Sequence, residues 1–167
     1  MGYTTEFTGA FELDAPLTAA QIAYLNAFNQ TRRMKRDAAV TAQLPDPVRE
    51  AAGLPVGEEG AYFVGSTNNY GQDQTADILD NNNPPSGQPG LWCQWVPSDD
   101  GQEIGWDGGE KFYDYTEWLE YIIEHFLKPW GRTLAGEVTW AGEEQTDLGK
   151  ITVKDNVVTV SKAKITY

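Results

Sequence analysis

Apolar and polar residues alternate over residues 5–13, which predicts a β-strand with Phe7, Phe11 and Leu13 turned inward. The period then changes. Ile22, Leu25 and Phe28 recur at helical spacing, and Thr18 with Gln21 supplies a capping box, so a helix is predicted from Thr18. The dense basic run Arg32-Arg33-Met34-Lys35-Arg36 is expected to form the C-terminal end of that helix, where cations suit the macrodipole. Asp46, Pro47 and Gly53 frame a short helix over 47–52 as N-cap, first-turn proline and stop. From Gly65 to Gly90 the periodicity dissolves into Asn, Gln, Gly, Pro and Asp, and this stretch reads as a long polar surface loop.

The C-terminal half is more strongly patterned. Leu91–Val96 predicts a strand with Leu91, Cys93 and Trp95 on one face, followed by a turn at Ser98–Gly101 and a shorter strand around Glu103–Trp106. Tyr115, Trp118, Leu119, Ile122 and Phe126 form an apolar stripe that predicts a helix over 115–127. Asp114 and Glu117 are placed as its capping box, and Pro129 and Gly131 end it. Leu134, Gly136, Val138 and Trp140 alternate as a strand, and Asp155-Asn156 is placed as a tight turn joining Ile151–Lys154 to Val157–Tyr167. The expected fold is α+β: an antiparallel sheet with two main helices, arranged as a split βαβ, ferredoxin-like core plus a C-terminal β-hairpin. Residues 1–167 read as one domain with the polar loop at about 65–90, and a chain of this length can bury a self-sufficient core.

Charge changes the picture more than composition does. Lys and Arg number 12 against 25 Asp and Glu, for a net charge of −13. A surface of that sign does not displace counterions from phosphate, which argues against direct nucleic-acid binding and against adhesion to an anionic membrane. No apolar run approaches a membrane-spanning length. The N-terminal residues lack a secretory signal pattern, and Cys93 is the only cysteine, so the expected compartment is a reducing bacterial cytoplasm.

Catalytic groups are scarce. His125 is the single histidine and sits beside the apolar stripe, where a structural role is the simplest reading. Cys93 reads as a small core residue. One Cys and one His do not make the usual zinc set, and Gly57-Glu58-Glu59-Gly60 is not a phosphate-cradling loop, so no metal and no cofactor are expected. The turn Asp99–Glu103 lacks the spacing of an EF-hand.

The acids themselves are unevenly placed. Residues 99–126 carry Asp99, Asp100, Glu103, Asp107, Glu110, Asp114, Glu117, Glu120 and Glu124 against Lys111 alone, a local −8. Glu117, Glu120 and Glu124 share one face of the predicted helix, opposite the apolar stripe. The plain interpretation is a solvated helix face plus acidic turns. The functional one is a negative surface that steers a basic partner, with Trp106 among the neighbouring aromatics as an anchor. Lys150, Lys154, Lys162 and Lys164 make the tail basic, and Arg32–Arg36 is a candidate counter-surface for the acids, within the chain or across a homo-oligomer.

Gly90-Leu91-Trp92-Cys93-Gln94-Trp95-Val96-Pro97, Trp106-Asp107-Gly108-Gly109-Glu110-Lys111-Phe112-Tyr113-Asp114-Tyr115, Glu117-Trp118-Leu119 and Phe126-Leu127-Lys128-Pro129-Trp130-Gly131 together resemble small acidic proteins of unassigned function encoded by bacteria, phages and other mobile elements. The likeness extends from the N-terminus to Gly136–Trp140 and Val153–Asn156. It implies a genomic setting in which anti-defence proteins and toxin antagonists are common, and it carries over no catalytic residue. The expectation is therefore a non-enzymatic interaction protein that binds a basic protein surface, as on a nucleic-acid-handling host defence protein, by imitating nucleic-acid charge. A toxin-neutralising immunity protein is one alternative. A small-molecule or carbohydrate-binding domain or hydrolase, using Trp92, Trp106 and nearby acids, is another.

Overall fold

The computed structural model describes residues 2–65 and 76–163. In chain order the elements are β1 (Glu6–Thr8), β2 (Phe11–Leu13), α1 (Ala19–Gln30), β3 (Lys35–Arg36), α2 (Ala38–Thr41), α3 (Pro47–Ala51), β4 (Ile78–Asp80), β5 (Trp95–Pro97), β6 (Glu103–Trp106), α4 (Tyr115–Ile122), β7 (Leu134–Ala141), β8 (Leu148–Lys154) and β9 (Val157–Lys162). The fold is α+β with an antiparallel sheet, as the periodicities predict. Contacts divide the chain into two compact units, one of residues 1–17 and 94–167 and one of residues 18–93.

The first unit holds a seven-stranded sheet in the order β5-β6-β2-β7-β8-β9, with β1 also paired to β7. All its pairings are antiparallel. β6 and β7, joined in sequence through α4, each pair antiparallel with β2 between them and so run parallel to each other, a split βαβ unit, and the C-terminal β8–β9 hairpin is present. The strand expected over 5–13 is two strands. Gly9 has φ +101°, a conformation that interrupts the ladder, so β7 pairs with β1 at one end and β2 at the other. Phe7 and Phe11 are buried and Leu13 is half-buried. Phe7 centres an aromatic cluster, edge-on to Trp95 and Trp106 at 5.4 Å each and to Tyr115 at 4.9 Å.

Helix α4 buries Trp118, Leu119, Tyr121 and Ile122. It passes into a π turn over Ile123–Leu127, in which Lys128 N donates to the Ile123 carbonyl at 2.9 Å. The wider turn brings Ile123, Phe126 and Leu127 into the core together, so the buried face is broader than a regular helix would present. The capping box at Asp114 does not form: Asp114 adopts a left-handed conformation and its side chain makes no cap bond. Asp155 and Asn156 have φ +50° and +66°, the primed turn the hairpin requires. Trp95–Pro97 is shorter than the strand expected over 91–96 and begins at Trp95; Leu91 is half-buried and Cys93 is buried in the second unit.

In the second unit α1 carries the expected capping box and buries Tyr24, Leu25 and Phe28. It ends at Gln30, before the basic run. Arg32–Arg36 therefore does not form its last turn. Arg33 and Arg36 are buried: Arg33 Nη2 donates to the carbonyls of Ala61 (2.8 Å) and Phe63 (3.0 Å), and Arg36 pairs with buried Asp77. Their guanidinium planes lie over Phe28 and Phe63. Lys35 pairs with Glu59 at 3.6 Å, and Arg32 Nε donates to the Asn81 carbonyl. The run is thus an internal scaffold of this unit, not a counter-surface for the acids. Asp46 precedes α3 without a side-chain cap bond, and its carboxylate instead accepts from Arg49 Nε (2.7 Å) and Val64 N (3.2 Å). Of the polar loop expected at 65–90, residues 66–75 lie outside the described residues, and Ile78–Asp80 pairs with β3 as a strand.

Candidate partner-binding surface

All nine acids of the 99–124 cluster belong to the first unit, and all nine are exposed. Asp99 and Asp100 sit in the β5–β6 turn, where Asp100 Oδ1 accepts from Ser98 Oγ (2.7 Å) and Gln102 N (3.0 Å). Those two donors, Ser98 first, hold its carboxyl below the usual range, so the turn stays charged in mild acid. Glu103 opens β6 directly opposite Glu12 of β2. Glu12, Asp100 and Glu103 line a shallow concavity of about 210 Å³ with Leu13 and Gln102. Glu12 escapes a reading centred on 99–124. Its signal is its place between inward Phe11 and Leu13, which turns it outward.

Asp107 accepts the Gly109 amide at 2.7 Å, tightening the turn after β6, and Glu110 offers its carbonyl to Gln94 Nε2. Glu117, Glu120 and Glu124 run along the solvent side of α4 and the π turn, opposite Trp118, Leu119 and Ile122. Glu124 is ion-paired with Lys128 one turn on. Glu120 and Glu124, with Lys128, line a second cleft of about 210 Å³ whose other wall is Asn156, Val157 and Val158.

The nine acids therefore fall into two groups. The β5–β6 hairpin forms one edge of the sheet, while the cleft of Glu120 and Glu124 opens at β9, the other edge. The helix group is a face; the hairpin group is a set of turns with one concavity.

The aromatic residues between the acids are mostly spent on packing. Trp95 and Trp118 are fully buried. Trp106 is half-buried, edge-on to Phe7 and donating its indole N–H to Gln94 Oε1 at 3.2 Å, so it is not a free anchor. Tyr113 is 52% exposed and its hydroxyl accepts the Tyr3 amide at 3.0 Å. His125 stacks on Tyr121 with ring centroids 4.0 Å apart. Burial lowers its pKa, opposed by the neighbouring Glu124.

Away from these acids, an open and largely apolar concavity of about 490 Å³ is lined by residues of β1, β7, β8 and the end of β9, among them Thr8, Trp140, Leu148 and Lys150. Among the described residues, no group of three or more His, Cys, Asp or Glu side chains is placed to hold a metal ion, and no helix is long and apolar enough to cross a membrane. The chain matches no family model, and comparison with curated proteins and with solved structures gives no match.

Proposed function

We propose that the protein is a non-enzymatic interaction protein that captures a basic protein surface through the acidic face of α4. The observation that carries this reading is Glu117, Glu120 and Glu124: three exposed carboxylates on one face of a helix whose opposite face is locked into the core. A helix so anchored fixes the backbone positions from which the three carboxylates project, so their spacing needs no further backbone ordering, the arrangement that steers a complementary cation. Trp106, tied to Phe7 and Gln94, contributes to the scaffold and not to the contact. The compartment that fits this role is the cytoplasm of a bacterial host, and the partner class that fits is a nucleic-acid-handling defence protein or a basic toxin. The sequence resemblance to proteins of phages and mobile elements favours the first.

The test is capture from bacterial lysate by the immobilised protein, beside a variant carrying Glu117→Lys, Glu120→Lys and Glu124→Lys. The expected result is a basic protein retained at low salt, released as salt shortens electrostatic reach, and absent from the variant. A captured protein that the variant holds equally well overturns the proposal.

A further inference from the structure

We propose that the Asp107–Gly108 step is a site of spontaneous backbone modification: it closes to a succinimide and reopens as isoaspartate, while Asp100–Gly101, the other Asp–Gly step of the chain, is protected by the fold. The proposal does not depend on what the acidic face of α4 binds.

Asp–Gly is the dipeptide in which this ring closure is least hindered, because glycine has no Cβ to obstruct its own nitrogen and its backbone turns freely. The sequence contains Asp–Gly at 100–101 and 107–108, and it contains no Asn–Gly. Both aspartates are exposed. Each also accepts, through Oδ1, the amide two residues on: Gln102 N at 3.0 Å for Asp100 and Gly109 N at 2.7 Å for Asp107. Exposure of the carboxyl and the turn it caps therefore do not separate the two steps.

The glycines do. Gly101 is buried, donates its N–H to the Ser98 carbonyl at 2.9 Å, and accepts the Leu17 amide on its own carbonyl at 2.9 Å. The nitrogen that must attack is engaged, and the peptide groups on both sides of Gly101 are pinned. Gly108 is exposed, and among the described residues neither its N–H nor its carbonyl makes a hydrogen bond. Its φ is +86°, and no atom lies within 4 Å of the place a Cβ would take. The nitrogen of Gly108 can thus turn toward Asp107 Cγ without first giving up a hydrogen bond.

Asp100 carries a second restraint. Its Oδ1 also accepts from Ser98 Oγ at 2.7 Å, and this bond, with the one from Gln102, holds its carboxyl below the usual range. Less of it stands in the neutral form whose hydroxyl can leave.

In the reaction the Gly108 nitrogen bonds to Asp107 Cγ, the Cγ–OH bond of the protonated carboxyl breaks, and the amide proton and the hydroxyl leave as water. Water then adds to the cyclic imide. Addition at Cγ breaks the new C–N bond and restores aspartate. Addition at the Asp107 backbone carbonyl carbon breaks the original peptide bond, so the chain runs on through Cβ and Cγ and the former backbone carbonyl becomes a free carboxylate. Mass and charge are unchanged, but the main chain gains a methylene. It falls directly after β6, where Asp107 N donates to the Gln94 carbonyl at 3.0 Å and the Gln94 side chain holds the Trp106 indole and the Glu110 carbonyl.

The test is storage of the full chain for weeks at physiological temperature in mildly acidic buffer, both folded and in concentrated guanidinium chloride. Chymotrypsin then separates the two steps onto peptides 96–106 and 107–112, and electron-transfer fragmentation distinguishes isoaspartate from aspartate in each. In the folded chain isoaspartate should accumulate at 107 about fivefold faster than at 100, the scale of a hydrogen bond that must first be broken. In denaturant, where neither glycine is held, the two rates should agree within about twofold. The denatured chain is its own control for sequence effects, so no substitution is needed. Isoaspartate absent from 107 in the folded chain, a folded-state ratio below about threefold, or a ratio no larger than that in denaturant overturns the proposal.

Discussion

Removing the charge of Asp77 should unfold the second unit far more readily than any surface charge change. Arg36 and Asp77 form an ion pair with side chains 3% and 4% exposed. Burial lowers the Arg36 pKa, opposed by Asp77 and, more weakly, by Asp46. Arg36 Nη2 has no hydrogen-bond partner among the described residues, so the cation is already short of one contact. Asp77→Asn keeps the shape and one acceptor while leaving the guanidinium buried without its counter-charge. Breaking a buried pair in this way costs about 3–5 kcal/mol, and the residual attraction from Asp46 places the expectation near 3 kcal/mol. With a urea m-value of about 2 kcal/mol/M, the midpoint should fall by about 1.5 M. The assay is urea titration followed by NMR, using amides of residues 18–65 and 76–93 so that the second unit is read separately. The variant Arg36→Met with Asp77→Leu, which removes both charges, should recover much of the loss, because the penalty comes from the unpaired charge. A fall below about 0.3 M for Asp77→Asn would show the pair to be worth no more than a surface bridge and would refute the reasoning.

Two further predictions concern the first unit. His125 is half-buried against Tyr121 and its pKa is lowered, so the folded state favours the neutral ring; stability should be full above the ordinary value of 6.5 and decline as pH falls below it, where the unfolded chain takes up the proton. Unfolding titrations at pH 7.5 and 5.5 should show this slope, and His125→Phe should flatten it. A Cβ at Gly149 would lie 2.3 Å from the Trp140 indole, which occupies that space across the β7–β8 pair. Gly149→Ala should therefore cost about 1–3 kcal/mol in thermal unfolding, and an unchanged midpoint would mean that the indole lies elsewhere.

Legibility differed sharply between elements. The capping box of α1, the apolar stripe of α4, the β7 alternation and the Asp155-Asn156 turn are local patterns, and each forms as its spacing predicts. Local signals failed where a tertiary partner outbid them. Arg33 and Arg36 look like a solvent-facing helix end, yet the Ala61 and Phe63 carbonyls, Asp77, and the rings of Phe28 and Phe63 supply an interior that satisfies them. Asp114 matches a capping pattern, but its left-handed backbone leaves its side chain without a cap bond.

By itself, then, the sequence determined the α+β class, the sign of the charge and the residues that carry it, because alternation, helical spacing and composition are properties of neighbouring residues. Only the tertiary structure decided how those charges are distributed. The order of strands separates the β5–β6 turn acids from Glu120 and Glu124, and the same order leaves β9 at an edge beside the glutamates. Sheet order depends on pairings between residues far apart in the chain, such as Phe11 with Ile104 and Gly136, which no local period encodes.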